Sequence, residues 1–362
     1  MQWLLLLILI PYIYIILKIS GSLKRLKPYS PGTDPCIFVS VIVACRNEEK
    51  NLPLLLNDIS QQNYSPDLHE LIVVDDNSTD STYQVASGFT KIKNLRVLKN
   101  RGKGKKQALR TGTEASTGKL IITTDADCRV GSSWIRTIAS FHTENKPEMI
   151  ICPVMLESGK GFFSGFQELE FLSLQGITAG SAAAGNPVMC NGANLAFPKE
   201  IYSVYAVNLH DELVSGDDVF LLHNLKGDHR NKIMWLESGL SMVKTKASDT
   251  LYSFFNQRAR WISKVGYYND RYTQVLAIVT FVTICLQAFL TAAAFKSHLF
   301  FLIFLAALLI KSVPDFMVLY NTTGRYDRRN LMKWFLPAQL IYPFYVLVIL
   351  FVSVREQRKY AD

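Results

Sequence analysis

Four windows of this chain are long and apolar enough to cross a bilayer, and nothing else in the sequence restricts its fold as much. The first runs from Trp3 to Ile19, almost entirely Leu, Ile and Tyr, and three more lie between Tyr272 and Val354. A helix needs ~20 apolar residues to span ~30 Å of hydrocarbon, and each window approaches that length. The expected layout is a transmembrane anchor over 1–20, a soluble domain over 37–250, an interfacial amphipathic helix over 251–271, and three transmembrane or partly re-entrant helices over 272–354. The re-entrant option comes from Pro314 with Asp315, and Pro337 with Pro343, which interrupt the last two runs. It also comes from the basic tail Arg355, Arg358 and Lys359, which four full spans would place outside.

Charge orients the spans. Lys18, Lys24, Arg25 and Lys27 follow the first apolar run and no basic residue precedes it, the reverse of a signal peptide, so the segment reads as a retained anchor. These residues, with Arg258, Arg260 and Lys264 ahead of the second span, put 21–271 in the cytoplasm by the positive-inside bias, and Arg325, Arg328, Arg329 and Lys333 fit the same scheme. A multi-pass protein of the cell (inner) membrane is expected. The formal charge of +9 sits largely beside the spans or in one short run, so it calls for membrane anchoring and no nucleic acid. Six scattered cysteines without a C-x-x-C pair indicate neither a zinc site nor a disulfide framework.

Between the anchors, periodicity changes. IFVSVIVA (37–44) is dense in β-branched residues and is followed by a helical pattern at Leu52, Leu55, Leu56 and Ile59. LIVVDD, LRVLKN and KLIITTDAD repeat the order of strand, polar loop and helix. That alternation predicts an α/β fold with a mainly parallel, Rossmann-like sheet, whose ligands lie beyond the carboxyl ends of the strands. After Ile150 it fades into Gly and Ser segments with short apolar patches, expected to form an acceptor-side half.

Several polar clusters fall at those strand ends. Asp125 and Asp127 are two apart; side chains at i and i+2 of a strand project to one side, so both could face a divalent cation such as Mg²⁺ or Mn²⁺. KNRGKGKKQALR gathers Lys99, Arg101, Lys103, Lys105, Lys106 and Arg110 around two glycines at a helix start, a setting that suits phosphate and equally describes a solvated loop. Of Asp217 and Asp218 ahead of an apolar helix, one can cap it and the other can act as a general base. Gln257, Arg260 and Trp261 share one helix face, in a segment rich in aromatic and basic residues that also fits an interfacial helix.

Taken in order, VIVACRNEE, VVDDNSTD, GKKQAL, DAD, CNGANLAF, GDD and QRARW resemble the membrane-bound family 2 glycosyltransferases, across residues 37 to 262. The resemblance implies a GT-A fold and a nucleotide-sugar donor, with a UDP-sugar favoured. It implies that Asp76, with Asp75 as the near alternative, binds the nucleotide, and that Asn47 and Glu48 lie beside the nucleoside. Lys105, Asp125, Gln257 and Arg260 join the donor side. Asp125 and Asp127 become the metal motif, Asn191, Gly192 and Trp261 the acceptor side, and Asp218 the catalytic base of an inverting transfer. The family's T-E-D is Gly216-Asp217-Asp218 here, which keeps only the last Asp and leaves a processive polysaccharide synthase as the runner-up. A membrane lipid or lipid-linked glycan is the expected acceptor. A transporter with a regulatory soluble domain is the rival from another class, and its charged pathway would have to use Lys311 and Asp315.

Overall fold

The computed structural model describes residues 2–359 except Thr33, Ser158, Asn208 and Val214, with side chains as far as Ser353. The first apolar window forms α1 (Ile10–Arg25), entered through a 3-10 stretch from Gln2 to Leu9. The alternating region follows as β1 (Val39–Cys45), α2 (Leu52–Ser60), β2 (His69–Asp75), α3 (Thr82–Ser87), β3 (Leu95–Lys99), α4 (Lys105–Ala115) and β4 (Leu120–Asp125). Next come β5 (Arg129–Val130), α5 (Trp134–Asn145), β6 (Met149–Ile151), β7 (Val154–Glu157) and α6 (Phe162–Ala183). The remainder is β8 (Leu195–Pro198), α7 (Lys199–Tyr205), α8 (Asp217–His229), β9 (Ile233–Trp235), β10 (Val243–Lys246), α9 (Leu251–Ile262), α10 (Arg271–Ala294), α11 (His298–Arg325) and α12 (Phe335–Lys359).

These elements form two compact units. The first comprises Lys27–Glu157 and Met189–Lys246, the second Met1–Leu26, Ser158–Val188 and Ala247–Asp362. In the first unit, the seven-stranded sheet has the order β3-β2-β1-β4-β8-β6-β9. β1 to β4 are mutually parallel, and β8 runs antiparallel to β4 and β6. β2 is buried throughout and β1 nearly so, which is why both read as unbroken β-branched runs rather than alternating ones. Register brings the strand ends level: Asp75 pairs with Cys45 on one side and Lys99 on the other, and Asp125 pairs with Ala44. Asp75 and Asp125 therefore flank β1 at two strand spacings, ~10 Å. A smaller sheet, β5-β10-β7, completes the unit.

The second unit holds the helices. Four stretches, Gln2–Arg25, Arg271–Ala294, His298–Arg325 and Arg329–Ser353, are long and apolar enough to cross a membrane. Pro314 and Pro343 lie inside α11 and α12 without breaking them, so the expected interruptions do not appear; a proline removes one N–H, which packed helices tolerate. Side chains of the basic tail Arg355, Arg358 and Lys359 lie outside the described residues. Lys311 donates to Asp315 Oδ2 at 2.6 Å and to Gln339 Oε1 at 2.9 Å, while Tyr12 donates to Asp315 Oδ1 at 2.7 Å. The only charges weighed for a transport pathway are thus closed on each other.

α6 was not foreseen. It belongs to the helical unit, so residues 37–250 do not make one body. Its glycines are the reason: a Cβ at Gly180 would stand 2.6 Å from the Ile19 carbonyl oxygen, and one at Gly176 would stand 2.3 Å from Thr322 Oγ1. Such small residues let helices approach at backbone distance. The interfacial helix is also shorter than 251–271. α9 starts with a capping box between Thr250 and Ser253 and stops at Ile262, before a 3-10 turn at Val265–Tyr267.

Arg258, one of the basic residues ahead of the second candidate span, is 3% exposed and pairs with Glu170 of α6 at 2.7 Å. Tyr345 of α12 donates to the same carboxylate at 3.2 Å, and the guanidinium stacks on Trp261, 4.1 Å from the ring centroid.

Candidate active site

The loop after β1 is knitted to the loop after β2. Asn47, in the left-handed region at φ 57° that Asn tolerates, accepts from the Thr79 N–H at 2.8 Å, and its own N–H donates to Ser78 Oγ at 3.0 Å. The Glu48 N–H donates to Thr82 Oγ1 at 2.7 Å, and its carboxylate accepts from Asn51 at 2.8 Å. Burial raises the Glu48 pKa, and the negative charges of Asp127, Asp125 and Asp80 add to that rise. Asn47 therefore shapes the loop, whereas Glu48 faces an acidic neighbourhood.

Asp75 and Asp76, adjacent and each 5% exposed, have different tasks. Both oxygens of Asp76 accept from the Gly104 N–H at 2.9 Å, and Oδ1 also accepts from Asn100 at 2.7 Å. Asp76 thereby pins the start of α4, where Gly104 sits at φ 91°, a conformation that disfavours any side chain. Asp75 Oδ2 accepts from the Ser78 N–H at 3.3 Å, while its Oδ1 is buried with no hydrogen-bond partner. A buried carboxylate oxygen without a donor is costly and marks a place where a ligand can donate. Asn100 escaped notice in the sequence because the run was read for its charges and for its two glycines at a helix start.

That basic run divides. Arg101 and Lys103 are exposed, whereas Lys105 forms an ion pair with Asp125. Burial works against the Lys105 charge, but the carboxylates of Asp125 and then Asp217 outweigh it and hold its pKa above the ordinary lysine value. β4 ends at Asp125, and the chain then turns, with the Cys128 N–H donating to the Asp125 carbonyl at 3.1 Å. Asp127 thus stands on a turn, not on a strand at i+2. The two carboxylates still sense each other: burial raises the Asp127 pKa, and the charge of Asp125 raises it further. Thr245 of β10 donates to Asp127 Oδ2 at 3.2 Å. Among the described residues no three His, Cys, Asp or Glu side chains gather as a metal shell, so Asp125 and Asp127 offer at most two carboxylates to a divalent cation, with ligand or water oxygens needed for the rest.

On the far side of β4, Asn191 accepts from the Ala193 N–H at 3.0 Å and caps the short turn Gly192–Asn194. The Gly192 N–H donates to Asp218 Oδ2 at 2.9 Å, and Thr123 of β4 donates to the Gly192 carbonyl at 2.8 Å. Gly216, at φ 103°, is the N-cap of α8, and Asp217 and Asp218 fill its first turn. Asp218 Oδ1 accepts from the Val219 N–H at 2.8 Å, so this residue both serves the helix start and holds Gly192. Asn194, unremarked in the sequence, anchors the turn through Trp134 at 3.0 Å and the carbonyls of Pro153 and Ser241. Asp75, Asp76, Lys105, Asp125, Asp127, Gly192 and Asp218 all belong to the strand-bearing unit. Gln257, Arg260 and Trp261 stand on α9 in the helical unit.

Residues 40–205 match the family described as glycosyl transferase family 2. The chain carries a family 2 glycosyltransferase domain. Among curated proteins this chain is similar to the glycosyltransferase AglE of Haloferax volcanii, 36% identical over 27% of this chain and 33% of that protein. It is also similar to human dolichyl-phosphate beta-glucosyltransferase, 39% identical over 26% of this chain and 32% of that one. A beta-monoglucosyldiacylglycerol synthase of Nostoc shares 31% identity over 30% of this chain and 24% of its own. The matched stretch thus spans a third or less of each relative. Among solved structures, the mannosyltransferase PcManGT from Pyrobaculum calidifontis, in complex with GDP-Man and Mn²⁺, aligns over 98% of this chain and 99% of that one, with a TM-score of 0.59 and 16% identity. The fold of this glycosyltransferase domain is GT-A, joined to four candidate membrane helices at the two ends of the chain.

Proposed function

We propose that this protein is a membrane-anchored, inverting glycosyltransferase that moves a sugar from a nucleotide-sugar donor to a membrane lipid or lipid-linked acceptor, with residues 27–157 and 189–246 as its catalytic unit. One observation carries the reading: at the level ends of β2, β1 and β4, the backbone of Asp75, whose Oδ1 is buried and unpaired, lies two strand spacings (~10 Å) from that of Asp125, which pairs with Lys105, in a family 2 domain. A nucleoside diphosphate has a donor-rich base at one end and anionic oxygens at the other, and such a gap suits it. The base would donate to Asp75 Oδ1. Lys105 and the N–H groups at the start of α4 would meet the diphosphate. Asp76, which holds Gly104 and hence that helix start, supports the donor site indirectly.

A divalent cation bound by Asp125 and Asp127 would neutralise charge on the leaving diphosphate. The relative solved with GDP-Man and Mn²⁺ supports that expectation. Asp218 is the general base: it would take the acceptor hydroxyl proton as the oxygen attacks from the face opposite the diphosphate, inverting the anomeric centre. Its bond to the Gly192 N–H fixes the carboxylate relative to the turn proposed for the acceptor side. The names of relatives, a dolichyl-phosphate beta-glucosyltransferase and a beta-monoglucosyldiacylglycerol synthase, support a lipid acceptor, as do the candidate spans. Incubating the purified full-length protein and Mn²⁺ with a panel of nucleotide sugars and membrane lipids, and reading products by mass spectrometry, tests this directly. A lipid that gains one hexose supports the reading, and no mass change with any donor overturns it.

A further inference from the structure

We propose that Lys106 is a positioning residue for the reaction, fastening the loop that delivers Asp218 to the helix that begins at the donor phosphates. The inference rests on the reading of Asp218 as the base. Lys105 and Lys106 are neighbours at the start of α4, yet their side chains go to different places. Lys105 pairs with Asp125. Lys106 is 5% exposed, and its Nζ donates to the Leu209 carbonyl at 2.7 Å and the His210 carbonyl at 2.5 Å. The ammonium also lies 5.3 Å from the ring centroid of Phe220, on α8. A desolvated ammonium is costly unless its donors are met, and two carbonyls with an aromatic face meet them.

The loop needs such a fastening. His210, a non-glycine residue, sits at φ 55°, and Gly216 at φ 103° ends the segment. Left-handed backbone persists where the surroundings over-determine it. Lys106 acts together with other described ties: Leu209 is 1% exposed, the His210 ring packs 4.6 Å from that of Phe220, Arg110 approaches Asp211 at 3.4 Å in an exposed pair, and Asn224 donates to the Tyr205 and Val207 carbonyls at 3.0 Å. Directly after Gly216 come Asp217 and Asp218. A base must be placed to a fraction of an ångström, and small misplacement can cost ~10²-fold in rate.

The test uses full-length protein in detergent, with Lys106→Met and Lys106→Arg. Hydrogen exchange in Lys106→Met should quicken across residues 209–219 and stay unchanged in β4. Transfer kcat should fall ~10²-fold, while UDP affinity with Mn²⁺, measured by calorimetry, stays within about threefold. Lys106→Arg, which keeps donors for the two carbonyls, should recover most of the turnover. If Lys106→Met does not fold, Lys106→Gln is read by the same three measurements. Unchanged exchange over 209–219, or weakened UDP binding with kcat intact, overturns the proposal. A wild-type protein that transfers no sugar would instead defeat the functional reading, and the exchange data would still decide the fastening.

Discussion

The two units handle buried charge in opposite ways. In the helical unit two buried clusters are closed: Glu170 with Arg258 and Tyr345, and Lys311 with Asp315, Gln339 and Tyr12. In the strand-bearing unit, polar capacity is left open at the strand ends. Asp75 keeps an oxygen without a donor, and burial with the charge of Asp125 raises the Asp127 pKa, while Lys105 pairs with Asp125. Closed networks fasten helices, whereas open ones await a ligand. Charge among candidate membrane helices is therefore not by itself a sign of transport, and the pairing within these two clusters argues for a structural task.

Breaking a closed network should produce the largest effect. Removing one partner of a buried ion pair typically costs ~3–5 kcal/mol, so Arg258→Met should lower the melting temperature in detergent by many degrees, and Glu170→Leu with Arg258→Met should restore most of it. A single variant as stable as wild type would mean that the pair fastens nothing. Next in size, Asp218→Asn should reduce transfer by ~10²-fold while UDP affinity is retained, since the amide oxygen can still accept from Gly192. Near-normal turnover would remove Asp218 from the role of base.

The open oxygen gives a smaller change. Asp75→Asn should weaken UDP binding about tenfold in calorimetry, ~1.4 kcal/mol, and unaltered affinity would place the base elsewhere. Smallest is Glu70, a closed carboxylate within the strand-bearing unit. Burial pushes its pKa up, but Ser40 Oγ at 2.6 Å and the Thr117 N–H at 2.6 Å outweigh burial and hold it below the ordinary glutamate value. A depressed folded pKa gives stability that is present above the unfolded value, ~4.3, and lost as pH falls through the folded one. Glu70→Gln should thus be less stable than wild type by about 1 kcal/mol at pH 7, with the gap narrowing at low pH. A gap independent of pH would contradict the charge-based account.

Legibility followed the same division. The parallel strands, the polar loops at their ends and the four apolar helices were readable because each is local: a β-branched run, a turn composition, a length of hydrocarbon. The hydrogen bonding of Asp76 was not, since its partner, the Gly104 N–H, comes from a different loop. The i+2 reading of Asp125 and Asp127 failed in detail because the strand ends at the first of them. α6 stayed hidden because its glycines look like loop residues, and only Ile19, Thr322 and Trp334, distant in sequence, explain them. The pairing of Arg258 with Glu170 was hidden because its partner lies 88 residues away in sequence.

A structure of the full-length protein with UDP or GDP and Mn²⁺ decides most. The base should donate to Asp75 Oδ1, with the diphosphate and Mn²⁺ between Lys105 and the carboxylates of Asp125 and Asp127. Nucleotide bound anywhere else, with Asp75 Oδ1 still unpaired, would contradict the assignment of these strand ends as a donor site.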